Sequence, residues 1–277
     1  QADQRAKEQV DAATKKLRER LIERRKQAAE KGLKEAEGLF RELEKESDKL
    51  AKAGDVDRKK AMVKLNDLAK QLQERRDKLG GDKQLRQQLE NMKNLSKGPA
   101  DKMFEAMKKG DWQAAQQELK KLQEKLAKGE LNEADKKELA KQLEQLQKKM
   151  AEAQAKREQA MKDLQKQIEQ QKQQGNMQRA GELQQKLDQM QQQQQQMNMM
   201  QKMAQKAGEC QECMKQGDQA GAAQAMQEMM QSLEQMQQQM SESEMLEAAM
   251  DQLQMAKDSM SCSECQGGGC ESCMSMG

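Results

Sequence analysis

The chain has no histidine and no tyrosine, and only two phenylalanines, one tryptophan and one proline in 277 residues. Each absence excludes something. So few aromatic anchors cannot support a thick mixed core, and a single proline leaves helices almost uninterrupted. Lack of histidine removes the commonest general base and the commonest metal ligand. Candidate chemistry is left to carboxylates, lysines and six cysteines. No stretch approaches the roughly 18 apolar residues of a membrane helix, so no membrane span is expected. Nothing at the start resembles a signal peptide, and because the first residue is Gln1, not Met, a segment upstream of it is expected.

What remains is rich in helix formers. Charged and hydrophobic residues each make up 35%, with Ala, Glu, Gln, Lys, Leu and Met dominant, the composition of long helices and coiled coils. Such a chain builds narrow helix seams. The net charge of +3 hides an asymmetry: residues 173–277 hold 6 Lys/Arg against 14 Asp/Glu, leaving 44 against 33 in residues 1–172. Lysines and arginines of the basic half alternate with Glu at helical spacing and have no aromatic stacking partners. They read as a solvated face, so nucleic acid is not an expected partner. Contact between the two oppositely charged halves is the more economical use.

The seams carry a repeated pattern. Leu139, Leu143, Leu146, Met150, Ala153, Ala160 and Leu164 fall on one heptad stripe interrupted by Arg157. Unbroken helix from Asn132 to Gln174 would span roughly 60 Å. Gly110-Asp111 and Gly217-Asp218 each place a glycine suited to a helix C-terminus before an aspartate suited to an N-cap. After Asp111 come Ala115, Leu119, Leu122 and Leu126, then Leu139, Leu143 and Leu146; 107 residues later stand Ala222, Met226, Met229 and Leu233, then Leu246, Met250 and Leu253. A copy displaced by 54 residues begins at Asp57 with Ala61, Leu65, Leu68, Leu72, Leu85, Leu89 and Met92.

Each copy reads as two antiparallel helices, turning at Gly80-Gly81, at Lys128-Gly129-Glu130, and at Ser241-Glu242-Ser243-Glu244, a capping box. Gly175-Asn176 with Ala180 and Leu187 is a weak fourth echo. The expected organisation is an N-terminal helix (1–54), hairpin 1 (55–97), hairpin 2 with a long extended helix (98–174), a Gln/Met-rich helical segment (175–207), a Met-rich hairpin 3 (208–260) and a Cys/Gly-rich tail (261–277). The stripe Ala153, Ala160, Leu164 and Ile168 outruns its hairpin partner and needs the helix around 183–203 or a second chain. Residues 191–196 are six consecutive glutamines, and beyond them methionine largely replaces leucine in the seam. Methionine packs adequately and specifies geometry poorly.

All six cysteines form C-x-x-C pairs: Cys210/Cys213, Cys262/Cys265 and Cys270/Cys273. Two thiolates at that spacing reach one ion, and two pairs complete a tetrahedral zinc site. The expected zinc ligands are therefore Cys262, Cys265, Cys270 and Cys273. Cys210 and Cys213 are weaker candidates, because they occupy the positions of Met103 and Ala106 in the repeat, where small thiols pack as apolar residues. Met197, Met199, Met200 and Met203 beside C-x-x-C pairs raise Cu(I) as the alternative metal, although methionines at seam spacing are ordinarily core. Glu209, Glu212, Glu264 and Glu271 flank the cysteines, the reverse of what a reactive thiolate needs.

Three resemblances follow from these motifs. The octad from Cys262 to Gly269 resembles the C-x-x-C-x-G-x-G repeat of the zinc-binding region in DnaJ-type co-chaperones, which implies a metal knuckle. The J-domain's His-Pro-Asp motif has no counterpart in a chain without histidine. Gly-Asp-Trp-Gln-Ala-Ala-Gln-Gln-Glu-Leu, residues 110–119, resembles the turn and second helix of a tetratricopeptide repeat, but a 54-residue period departs from that family's ~34. The heptads as a whole resemble bacterial coiled-coil proteins labelled SMC-like, without an SMC ATPase head.

No phosphate loop, nucleophile elbow or triad is present, so the chain is not expected to be an enzyme. The expected fold is all-α, with extended antiparallel hairpins, coiled coil and an irregular tail. The expected role is a structural or protein-interaction scaffold that meets a protein partner or itself through helix seams, with soft-metal binding or buffering as the alternative. Reduced or metal-bound cysteines would favour the cytoplasm.

Overall fold

A computed structural model of the chain describes residues 2–52, 58–80, 90 and 94–261. Among them are nine α-helices and no strand: α1 Ala2–Glu30, α2 Lys34–Lys52, α3 Arg58–Leu79, α4 Asp101–Lys109, α5 Trp112–Ala127, α6 Glu133–Gln173, α7 Met177–Gln192, α8 Gln194–Lys215 and α9 Gln219–Ser261. The protein is all-α. The described residues form two compact units, one of those up to 76 together with those from 241 on, the other of those from 77 to 240.

Glycine sets the turns. Gly32, Gly110, Gly129, Gly175 and Gly217 all take positive φ, between 69° and 75°. At each, the glycine N–H bonds three residues back and the following N–H five residues back, as in Gly110 to Met107 at 3.0 Å and Asp111 to Ala106 at 2.9 Å. This is the Schellman closure, which glycine alone adopts without a Cβ penalty. The Gly110-Asp111 and Gly217-Asp218 junctions therefore behave as expected, and the weak echo at Gly175-Asn176 has the same geometry. The N-terminal region does not behave as expected: residues 1–54 are not one helix, because Gly32 turns α1 back along α2.

In the first unit, pairing across helices gives the direction of each. Arg25 meets Glu44 at 2.9 Å and Arg18 meets Asp48 at 3.3 Å, so numbers rising in α1 face numbers falling in α2. The same reversal joins α2 to α3, through Lys64 with Glu46 at 2.8 Å and Arg75 with Glu35. It also joins α3 to the later part of α9, through Arg75 with Glu242 at 2.8 Å and Lys257 with Asn66 at 3.0 Å. Ala13 and Leu17 of α1 line a shallow cleft with Met255 and Ala256 of α9, which closes an up-down-up-down four-helix bundle. Leu17, Leu21, Phe40, Leu43, Leu65 and Leu72 are fully buried, each stabilising the fold by about 1.5–3 kcal/mol. The surface ion pairs fix register and add little energy.

In the second unit, one apolar cluster runs through α4, α5, α6, α8 and the earlier part of α9 and includes Phe104, Trp112, Leu119, Leu143, Met203 and Met229. α5 lies along α4, while α6 lies along both α7 and α8. The expected turn at Gly129 forms, and Leu119, Leu122 and Leu126 of α5 share one cluster with Leu139, Leu143 and Leu146 of α6. Gln123 Nε2 donates to the Ala223 carbonyl at 2.9 Å, tying α5 to α9. The segment before α4 is held by Gln142, a buried amide whose Nε2 donates to Ser96 O at 2.8 Å and Asp101 Oδ1 at 2.7 Å and whose Oε1 accepts from Ala100 N at 2.9 Å. Every polar atom of that side chain is used, as burial requires.

The third expected hairpin turn is absent. Residues 241–244 are helical inside α9, and Glu242 and Ser243 are buried. The reason lies in the repeat itself: 107 residues after Gly129 stands Met236, fully buried, so no glycine is available to reverse the chain. The seam instead runs on through Leu233, Met236, Met240, Ser243, Leu246 and Ala249, all buried. Its three successive steps of three residues rotate the buried stripe around the helix. The phase break read as a turn is that rotation. Of hairpin 1, α3 is present and ends at Gly80, with φ of 78°; Asp57, Gly81, Leu85, Leu89 and Met92 lie outside the described residues.

Beyond the main cluster, α6 and α7 continue as a two-helix arm. Leu164 and Ile168 pack against Leu183 and Leu187, with Met161 and Met190 beside them, as a separate small core. The stripe that needed a partner finds it within the chain, in the nearer of the two expected ways. Ala160 stays exposed and Ala153 half-buried.

Candidate functional site

The four tail cysteines, Cys262, Cys265, Cys270 and Cys273, lie outside the described residues. Cys210 and Cys213 are described, and both are free thiols. They sit on the last turns of α8, one helical turn apart, immediately before the Gly217 closure. Cys210 is fully buried in the main cluster of the second unit, where Met103 lies in the earlier copy. Cys213 is half-buried and packs on the edge of that cluster.

Their environment keeps both thiols protonated. Burial pushes Cys210 up to about 12, with Cys213 adding to the effect. Cys213 is raised as well, by burial first, then by the charge of Asp218 and a hydrogen bond to its carboxylate, then by Glu209. A neutral thiol is neither nucleophile nor good metal ligand. Asp218 has a second task. As N-cap of α9 it accepts from Gly221 N at 2.9 Å, just as Asp111 accepts from Ala114 N at 3.0 Å. A methyl at Gly221 would strike Asp218 and stand 2.9 Å from Cys213 Sγ.

Among the described residues no group of three or more His, Cys, Asp or Glu side chains is placed to hold a metal ion. The methionines proposed for Cu(I) are core: Met199, Met200 and Met203 belong to the main cluster, and Met197 is 5% exposed. No helix of the described residues is long and apolar enough to cross a membrane. Compared with protein-family models, curated proteins and solved structures, the chain matches none.

Two features escaped the sequence reading. One is the contact of Cys213, Asp218 and Gly221, whose only written sign is that Gly221 replaces the alanine found at position 114. The other is the bond made by Arg157: the sequence shows it interrupting the α6 stripe, and only the structure shows its guanidinium donating to the backbone oxygen of Met190.

Proposed function

We propose that the chain is a non-catalytic scaffold, a helical body that presents a two-helix arm to a protein partner. The arm is the observation that supports this reading. From residue 155 to 176 every side chain is exposed except Arg157, Met161, Leu164, Ile168 and Gln171, and the contacts among α6 and α7 form a core of their own. Such a feature adds little to the main cluster yet holds a long polar surface in fixed shape. The seams are consumed internally: among the described residues the large apolar ones left exposed are Val63 and, in α7, Met177. Recognition therefore runs through polar and charged side chains, not through a bare seam.

A photo-crosslinking amino acid at Gln159 or Lys166, both exposed, should give discrete protein adducts in cells that express the chain. No adduct from either position, in protein with an intact helical signal, overturns the reading. The tail thiols are separable by stoichiometry. About one Zn per chain fits a tail staple, because one tetrahedral site takes four thiolates. Several Cu(I) ions per chain would favour the buffering alternative.

A further inference from the structure

α7 and α8 both lie along α6 and are separated by a single residue, Gln193. They amount to one return helix, interrupted. Local sequence gives no cause for the interruption. It falls within six glutamines, which are good helix formers, and neither glycine nor proline occurs from residue 182 to 207. Gln193 has an unexceptional φ of −77°. Helices break without glycine or proline where a side chain or water enters the backbone ladder.

Arg157 is such a side chain. Its Nη2 donates to the Met190 carbonyl, which lies in the last turn of α7, where carbonyls lose their intrahelical partners. Among the described residues no carboxylate pairs with this guanidinium, and its Nε is buried without a partner. Burial lowers its pKa, yet an arginine remains charged. The heptad asks for an apolar residue at this position, so the arginine costs stability where it stands. Gln196, three residues past the break, is 3% exposed, its Nε2 is buried and unpartnered, and its Oε1 lies against Gly80.

We propose that Arg157 is a wedge: by taking the Met190 carbonyl it creates and holds the break at Gln193, so that one residue of the facing helix sets the joint between arm and body. The polyglutamine run supplies a segment that would otherwise be continuous helix.

Replacing the wedge should heal the helix. In Arg157→Met, amides from 192 to 196 should gain at least about tenfold protection from hydrogen exchange. Spin labels at exposed Gln185 and Gln205 should move toward the ~30 Å span of twenty unbroken helical residues. The melting temperature should rise, since a half-buried guanidinium without a carboxylate partner is gone from an apolar stripe. Arg157→Lys retains a donor and should keep the break. Arg157→Ala gives the same readouts as Arg157→Met without filling the seam and serves if the methionine overpacks it. Unchanged protection and an unchanged label distance in folded Arg157→Met or Arg157→Ala overturn the proposal.

Discussion

The turns at Gly110-Asp111 and Gly217-Asp218 are built on the same backbone and filled differently. Both glycines sit at φ near 75°, both aspartates cap the next helix, and Ala115 and Ala222 are equally buried behind them. In the first turn the corresponding residues are Ala106 and Ala114, both packed on the main cluster. In the second, Cys213 takes the place of Ala106 and Gly221 that of Ala114. The Asp218 carboxylate and the Cys213 sulfur both occupy space that the methyl would need, so volume has moved from one side of the contact to the other. Equivalent positions in a repeat are therefore not independent, and the substitutions are legible only as a pair.

The largest expected effect breaks that pair. Intrinsic propensity favours alanine over glycine in a helix by about 1 kcal/mol, so Gly221→Ala would stabilise α9 if space allowed. The Cys213 contact predicts the opposite sign, a net loss of about 1–3 kcal/mol from overpacking, measured by denaturant melting. Cys213→Ala should rescue Gly221→Ala in part, by removing the sulfur and leaving the Asp218 carboxylate room to stand aside as Asp111 does beside Ala114. A neutral Gly221→Ala, or a rescue that adds nothing beyond the two single changes, would sink the coupling.

Next comes a difference in pH response. Cys210 occupies the position of Met103, and only one of the two can titrate. Its thiol stands near 12 in the fold against 9.0 ordinarily, so folding favours the protonated form. The contribution is fully present below about pH 9 and is lost progressively as pH rises from there toward 12, because the unfolded thiol ionises first. Denaturant melts at pH 7, 9 and 10 should show the native chain losing stability faster than Cys210→Ala. Parallel curves for the two would mean that Cys210 is not buried as described.

How much of this was written in the sequence depends on whether the signal was local. The all-α class, the Gly–Asp turns and the buried seam residues came from periodicity and capping, which act over a few residues. Pairing did not. Gly129 makes the expected turn, and α6 takes α8 and α7 as further neighbours, a choice made by surfaces far apart in the chain. The turn at Ser241-Glu242-Ser243-Glu244 failed because a capping box signals only where a helix could start, while Met236 in place of glycine decides whether the previous one can stop. Gly32 was overlooked because no aspartate or asparagine follows it. Of the candidate site, the packing of Cys210 as an apolar residue was legible from its register with Met103. The influence of the Asp218 carboxylate on Cys213 was not, since it depends on side chains meeting across the turn.

The smallest effect compares the caps. Asp111→Ala and Asp218→Ala each remove one bond to a helix N-terminus, to Ala114 N and Gly221 N respectively. Each should cost about 0.5–2 kcal/mol, and thermal melts should not distinguish them. Thiol chemistry should. Asp218 also holds the Cys213 thiol protonated, after burial itself the next cause of its raised pKa, whereas the counterpart across the first turn is Ala106, which has nothing to ionise. Asp218→Ala should therefore speed alkylation of Cys213 at mildly alkaline pH, by lowering its pKa toward the ordinary thiol value, while Asp111→Ala leaves that rate unchanged. Equal acceleration in both would point to general fraying of the caps, and no acceleration in Asp218→Ala would mean that its carboxylate does not govern the sulfur.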